Sequence, residues 1–258
     1  FLCTANNNLD HLGKCMASTI DMGTYRSTQI ADTLSKLDQW DVKRTADLQM
    51  ETYSSQAAAF MEILRPLLPD NDHANTLRYW DLRYSADSQG ATLFDKFLYS
   101  LRLEVFGKAL GPEVTKHLLS HTRVMTLFFV HFDRILLSAD SPWFCGRSRE
   151  TLYRNSLEKV LGKALYFETL PWGEVRPVVQ KHLLFWGKLP RVLGFDSRKF
   201  PLIGSQGSIH QGQVFHLNGR ELSIGPALRF VVDLATQDSH SVTAGGLSDR
   251  RFSKYYVN

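Results

Sequence analysis

The sequence has few cysteines and almost no excess of charge, and both shortages exclude classes of protein. Its three cysteines, Cys3, Cys15 and Cys145, are too few and odd in number for a disulfide framework, and their spacing matches no metal-binding knuckle. The 30 Lys and Arg residues against 26 Asp and Glu residues give a net charge of only +4. This excess is too small and too evenly spread to indicate nucleic-acid binding. We therefore expect no nucleic acid among the partners.

Long apolar runs are also missing. The most apolar stretch, residues 124–130, is followed at once by His131 and Asp133 and is too short to cross a bilayer, so it predicts a buried helix and no membrane span. At the same time, 43% of the residues are hydrophobic and 22% are charged. This composition excludes intrinsic disorder and supplies enough apolar side chains for a substantial core.

The order of apolar residues predicts an α+β fold in three parts. Residues 1–26 have the pattern of a short strand that runs into an Asn-rich turn. Residues 27–170 repeat apolar side chains at helical spacing and predict a helical block. It includes a helix over 92–105 and helical patterns through 114–137 and 149–165, and Thr45 is a candidate helix N-cap. Residues 171–258 are richer in Gly, Pro and alternating apolar residues, which predicts a β-rich segment. We expect all three to belong to one larger domain. The strand character of both chain ends predicts that the sequence is a piece of a longer protein.

No complete catalytic or metal-binding motif is present in the sequence. The nine histidines form no His-Glu-x-x-His or His-x-His pattern, and there is no glycine-rich phosphate loop. His117 and His121 are four residues apart and would share a helix face, but two histidines are a weak indication of a metal site. A pair on a helix surface is the favoured interpretation.

A series of short phrases, in a common order, resembles the penicillin acylase family of N-terminal-nucleophile hydrolases. Each phrase alone is weak evidence of a relationship, but their shared order over almost the whole chain argues against a chance similarity. They are Thr4-Ala5-Asn6-Asn7, Tyr25-Arg26-Ser27-Thr28-Gln29-Ile30, Trp80-Asp81, Asp87-Ser88-Gln89-Gly90-Ala91-Thr92-Leu93-Phe94, Ser141-Pro142-Trp143-Phe144, Trp172-Gly173 with His182, Leu228-Arg229-Phe230-Val231-Val232-Asp233-Leu234, Gly245-Gly246-Leu247-Ser248, and Phe252-Ser253 followed by Tyr255 or Tyr256.

The resemblance implies a fragment of an αββα fold, from the C-terminal part of the family's large β chain. It implies that the nucleophile, the first residue of that β chain after autocatalytic processing, lies upstream of Phe1. The implied partners are the α chain and the N-terminal part of the β chain of the same precursor. No cofactor is expected in this fragment, and calcium can occur elsewhere in the complete protein. Family members are commonly exported, which implies a periplasmic or extracellular location.

Asn6 and Arg26 are the candidate catalytic residues that the resemblance assigns. Attack on an amide carbonyl creates an oxyanion, which needs prearranged hydrogen-bond donors. The family uses a backbone N–H together with the side-chain amide of an Asn, and Asn6 matches that Asn. Arg26 resembles the Arg that hydrogen-bonds the catalytic centre and orients its neighbours. Asn7 and Asn8 are alternative registers for the donor. A turn-forming role for Asn6 and a surface role for Arg26 remain open as structural alternatives.

The implied activity is that of an amidohydrolase on a small N-acyl substrate of the penicillin, acyl homoserine lactone or lipopeptide type. The nucleophile would be an N-terminal Ser-type residue whose own amine, with an ordinary pKa of roughly 7.7–8.0, serves as base. Arg229, Asp233 and His182 are interpreted as structural residues.

Three departures from the family pattern keep a second interpretation open. They make it less certain that the loops near the site have the family's geometry. The alternative is therefore a catalytically inactive member that serves as a structural or assembly subunit. The departures are Ser248-Asp249-Arg250-Arg251 for Ser-Gly-Asn/His-Pro, Ser253-Lys254-Tyr255-Tyr256 for Ser-Pro-His-Tyr, and Trp172-Gly173-Glu174-Val175-Arg176 for Trp-Gly-x-x-His.

Overall fold

Helices make up most of the first two thirds of the protein. A computed structural model describes residues 1–14, 16, 21–164, 169–175, 177–181, 188–189, 196–201, 203–212, 224–245, 248, 250 and 252–256. Short 3-10 helices at Asp10–Leu12, Arg65–Leu67 and Pro142–Phe144 accompany the α-helices in this part of the chain. The α-helices are α1 (Tyr25–Leu34), α2 (Val42–Gln49), α3 (Ser55–Leu64), α4 (Asp72–Arg78), α5 (Gln89–Leu110), α6 (Pro112–His121), α7 (Val124–Leu127), α8 (Phe129–Leu137), α9 (Arg149–Ala164) and α10 (Trp172–Val175).

Helix α5 is the centre of the hydrophobic core. The Ser88 hydroxyl caps its first turn by accepting a hydrogen bond from the amide of Ala91 at 3.1 Å. The helix ends at Gly111, whose φ of +87° favours glycine. Helices α4, α6, α8 and α9 pack around α5. Burial of each large apolar side chain there contributes about 1.5–3 kcal/mol. The fully buried aromatic residues of this core are Phe60, Phe94, Phe97, Phe106, Phe144 and Tyr153.

The strands that the structure describes lie in the last third of the chain. β1 (Pro177–Val178) pairs with β2 (Phe200–Pro201), and β3 (Leu228–Val232) pairs with β4 (Ser239–Thr243), both in antiparallel register. Helices and small antiparallel sheets therefore occupy separate parts of the sequence. This arrangement confirms the predicted α+β fold and agrees with a fragment of an N-terminal-nucleophile hydrolase.

Three local features differ from the sequence predictions. Residues 1–5 are not a strand, because a strand needs a ladder partner and none of the described residues pairs with them. The helical pattern that continues through residues 114–137 is divided into three helices, by extended backbone at Thr122 (φ −124°, ψ 164°) and by a non-helical residue at Phe128 (φ −103°, ψ 23°). The predicted N-cap at Thr45 is wrong: α2 is capped by Asp41, whose carboxylate accepts from the amide three residues on at 2.7 Å.

Candidate active site

Asn6 lies in a tight turn ahead of α1. Its φ of +61° is in the left-handed region, where Asn is accommodated better than most side chains. Oδ1 of Asn7 accepts a hydrogen bond from the amide of Ala5 at 3.0 Å. The carbonyl oxygen of Asn6 accepts one from the amide of Met22, also at 3.0 Å. The turn is therefore closed by its own side chains and tied to the segment that leads into α1.

Arg26, in the first turn of α1, contacts two residues of this turn. Its Nη2 donates to the carbonyl oxygen of Ala5 at 2.8 Å and to Oδ1 of Asn6 at 2.6 Å. A guanidinium has donors only, so the Asn6 atom that faces it must be the amide oxygen. The amide nitrogen Nδ2 lies on the other branch of the group, and no hydrogen bond among the described residues uses it. Because Asn6 is exposed in the described structure, this donor is accessible.

The charge of Arg26 strengthens this donor. Arg26 is half-buried, and burial lowers the pKa of its guanidinium from the ordinary value. The group still carries its proton, because an Arg side chain is not deprotonated in proteins. A fixed positive charge beside Oδ1 draws electron density from the amide and makes Nδ2 a better donor. A neutral donor supported by a permanent cation is suited to stabilising an oxyanion.

The two following asparagines are used differently. Oδ1 of Asn7 is engaged by the amide of Ala5, within the turn. Oδ1 of Asn8 accepts from the amide of Asp10 at 2.7 Å and so begins the short 3-10 helix. Of the three asparagines, Asn6 is the one that Arg26 contacts in the described structure. The geometry therefore favours Asn6 over the two alternative registers.

The start of α1 is fixed on α8 by a close backbone approach. Gly23 has a φ of +69°, and a Cβ added to it would lie 2.6 Å from a methyl group of Val130. Only glycine allows the chain to pass so near to α8 at this φ. The aromatic ring of Tyr25 stacks on that of Phe129, with centroids 6.3 Å apart and an angle of 22° between the planes.

A buried polar cluster lies beneath these contacts, and the sequence alone did not reveal it. Asp133 of α8 is fully buried and accepts a hydrogen bond from Nε2 of Gln56 at 2.5 Å. Nη2 of Arg102 lies 3.4 Å from its other oxygen, and the Tyr25 hydroxyl is near enough to this carboxylate to lower its pKa. Burial outweighs these partners and raises the pKa of Asp133 to about 6. Burial and the Asp133 carboxylate raise the pKa of the Tyr25 hydroxyl above its ordinary value.

The whole chain, residues 1–258, matches the profile of a family described as Penicillin amidase. The chain belongs to the penicillin amidase family. This result confirms the resemblance drawn from the phrases, and it places the chain among amide hydrolases. No curated protein matches the sequence.

Other residues singled out in this penicillin amidase sequence make local contacts in the described structure. Asp233 closes a turn by accepting from the amide of Ala235 at 2.9 Å, and Arg229 lies on β3. The rings of His117 and His121 stack, with centroids 5.2 Å apart. His182 falls outside the described residues.

Neither a metal-binding cluster nor a membrane-spanning helix occurs in the described part of the penicillin amidase chain. No group of three or more His, Cys, Asp or Glu side chains there could hold a metal ion. No helix of the described ranges has the length and apolarity needed to cross a membrane.

Proposed function

We propose that this chain is part of an amide hydrolase in which Nδ2 of Asn6 donates a hydrogen bond to the oxyanion of the tetrahedral intermediate. The observation that carries the proposal is the 2.6 Å hydrogen bond from Nη2 of Arg26 to Oδ1 of Asn6. It fixes which end of the amide can donate. In this assignment Arg26 is a positioning residue, because it acts through Asn6 and not on the substrate.

The nucleophile in the proposal is an N-terminal Ser-type residue of the β chain, outside these 258 residues. Its hydroxyl oxygen attacks the amide carbonyl carbon, and the hydroxyl proton passes to its own α-amino group. Asn6, together with a backbone N–H, stabilises the negative oxygen that results. When the intermediate collapses, the C–N bond breaks and the leaving amine takes the proton. Water then hydrolyses the acyl-enzyme and releases the acid.

The proposed partners follow from this division of the site. We propose that the α chain and the N-terminal part of the β chain of the same precursor complete the site, which is located outside the cytoplasm. The proposed substrate is a small N-acyl compound of the penicillin, acyl homoserine lactone or lipopeptide type. Calcium, where the complete protein binds it, is assigned to those other segments.

Replacing the proposed donor tests this function. In the complete, processed protein we expect Asn6→Ala to lower kcat for a chromogenic N-acyl amide by about 10²–10³, because one oxyanion donor is lost. KM should change little, since the ground-state carbonyl makes weaker use of that donor.

Asn8→Ala is the matched control, because it removes the same type of side chain only two positions along the chain. Asn8 is also exposed, and its Oδ1 accepts a hydrogen bond from the amide of Asp10. We expect kcat to stay within about twofold of wild type. Unchanged turnover in Asn6→Ala would refute the assignment, and a large loss in Asn8→Ala would move the donor to that register. A correctly processed protein that hydrolyses no N-acyl amide would favour the inactive-subunit alternative.

A further inference from the structure

A pocket of about 370 Å³ lies between α9, the 3-10 helix Arg65–Leu67 and the start of α4. This volume is within the range of roughly 300–1,000 Å³ that is typical of small-molecule sites. No residue of the Asn6 turn or of α1 lines the pocket. We propose that it binds an apolar α-amino acid, whose side chain lies on the pocket's apolar floor and whose two charged groups contact Arg154 and Glu158. The inference concerns binding and does not depend on the proposed role of Asn6.

The floor of the pocket is apolar. Leu157 and Leu161 line it from one side of α9, because residues four positions apart on a helix lie on the same face. Leu68 lines it from the segment that follows α3. These three side chains are at most 9% exposed, so each belongs to the core and presents only part of its surface to the pocket. An apolar ligand group placed there exchanges water for leucine side chains, which favours binding.

The wall formed by residues 66–71 is held in place by the protein itself. Pro66 and Pro69 restrict its backbone, because each proline ring fixes φ at roughly −65°. Nη2 of Arg78 donates to the carbonyl oxygens of Leu68 and Pro69, at 3.2 Å and 2.9 Å. The side chain of Asn71 caps α4 by accepting a backbone hydrogen bond at 2.9 Å. The pocket is therefore preformed, and little conformational entropy is lost when a ligand enters.

Two opposite charges line the rim of the pocket. Arg154 and Glu158 lie one turn apart on α9, and both are exposed. In the described part of the chain, neither side chain forms an ion pair or a hydrogen bond. An arginine four residues ahead of a glutamate is the less favourable order for an ion pair along a helix. Both groups are therefore available to a ligand.

This pair of charges decides which class of ligand fits the pocket. A fatty acid would bring its negative charge to Arg154 and also to Glu158, and an aliphatic amine would meet the opposite conflict. An α-amino acid carries a carboxylate and an ammonium group on one carbon atom, so it satisfies both side chains at once. The guanidinium can bind the carboxylate with two parallel N–H donors. The carboxylate of Glu158 accepts from the ammonium group, and the apolar side chain reaches the leucine floor.

Ligand-observed NMR titrations of the complete, processed protein test the charge requirement with three compounds of similar apolar shape. L-Leucine carries both charges, 4-methylpentanoate lacks the ammonium group, and 3-methylbutylamine lacks the carboxylate. We expect L-leucine to bind with a Kd on the order of 1 mM or below. Each analogue should bind at least about 3-fold more weakly, because one charge-assisted contact is missing. No detectable binding of L-leucine, or an analogue that binds as tightly as L-leucine, would overturn the inference.

Two variants that each remove one charge assign the contacts. Arg154→Gln should weaken L-leucine binding by about 3- to 10-fold and should not weaken 3-methylbutylamine, which has no carboxylate to lose. Glu158→Gln should weaken L-leucine similarly and should not weaken 4-methylpentanoate. Arg44→Gln is the matched control, because it removes an exposed guanidinium from α2 that does not line the pocket. Its affinity for L-leucine should equal that of wild type.

The outcomes of these titrations are separate from those of the activity assays. All three substituted side chains are exposed, so we expect the variants to fold as wild type does, with an unchanged Tm. Unchanged L-leucine affinity in either pocket variant, or an equal loss in Arg44→Gln, would place the binding elsewhere and overturn the inference. The readout is binding and not turnover, so the effect of Asn6→Ala on kcat decides the proposed function alone.

Discussion

Arg26→Met is the substitution that most directly examines the link between Arg26 and Asn6. Methionine keeps an unbranched side chain and removes the guanidinium, so the hydrogen bonds to Ala5 and Asn6, of 2.8 Å and 2.6 Å, are both lost. Hydrogen bonds from a charged group contribute about 1.5–3 kcal/mol each. In our assignment they act on turnover only by orienting the Asn6 amide.

The size of the effect therefore has a ceiling. Removing the donor itself costs about 2.7–4 kcal/mol, or about 10²–10³ in kcat. The loss in kcat from Arg26→Met cannot exceed this value, and we expect it to be about 10²-fold, at the lower end of that range. The double variant Arg26→Met with Asn6→Ala should match Asn6→Ala alone, because a donor that is absent cannot be misoriented. Independent contributions would instead multiply to a loss in kcat of about 10⁴–10⁵.

The assay is steady-state hydrolysis of a chromogenic N-acyl amide by the complete, processed protein, near pH 8. Arg78→Met is the matched control. Arg78 also donates to an asparagine oxygen, that of Asn75, and to backbone carbonyls, those of Leu68 and Pro69, at 3.2 Å and 2.9 Å. Its kcat should stay within about twofold of wild type. A multiplicative loss in the double variant, or an equal loss in Arg78→Met, would refute the reasoning.

Two further predictions concern stability. Asp133 has a pKa of about 6 in the folded chain and about 3.8 as an ordinary side chain, so the folded state binds more protons between these pH values. Its contribution is complete below pH 4 and is lost as the pH rises through 6. The free energy of unfolding of wild type minus that of Asp133→Asn, from urea titrations followed by tryptophan fluorescence, should fall by about 2 kcal/mol from pH 4 to pH 7. A flat difference would contradict the assignment. Gly90→Ala should lower the same free energy by about 1–3 kcal/mol, because the new Cβ would lie 2.5 Å from the packed Trp80 ring. Gly162→Ala, with open space around it, should be neutral or stabilising by up to about 1 kcal/mol. Equal effects of the two alanines would refute the steric explanation.

Local patterns in the sequence were sufficient to predict most of the helices. Apolar side chains at helical spacing predicted α5 and α9, because burial repeated with that spacing decides the structure of a long segment. The predictions were wrong at helix boundaries, where the structure depends on a single residue. The helical pattern of residues 114–137 continues across Thr122, where the backbone is extended, and the carboxylate of Asp41 caps α2 in place of Thr45. Such boundaries depend on one hydrogen bond or one dihedral angle, which periodicity does not record.

The candidate site was predicted only in part. Asn6 and Arg26 came from the order of phrases, and their contact joins residues 20 positions apart that no spacing rule relates. The cluster around Asp133 was not predicted at all, because its members come from four helices that only the tertiary fold brings together. One signal was present: Asp133 follows the most apolar stretch of the chain, and a carboxylate there must find buried partners.

The left-handed turn at Asn6 limits which amino acids the position can hold. A φ of +61° leaves Gly, Asn and Asp as the residues that adopt it at low cost. Among these three, Gly has no side chain to donate, and Asp would place a second negative charge where an oxyanion must form. The position thus has two independent requirements, a left-handed backbone and a neutral hydrogen-bond donor, and of these three residues only Asn meets both. Substitutions by Asp and Gly therefore separate the loss of the donor from the loss of the turn, which a substitution by Ala combines.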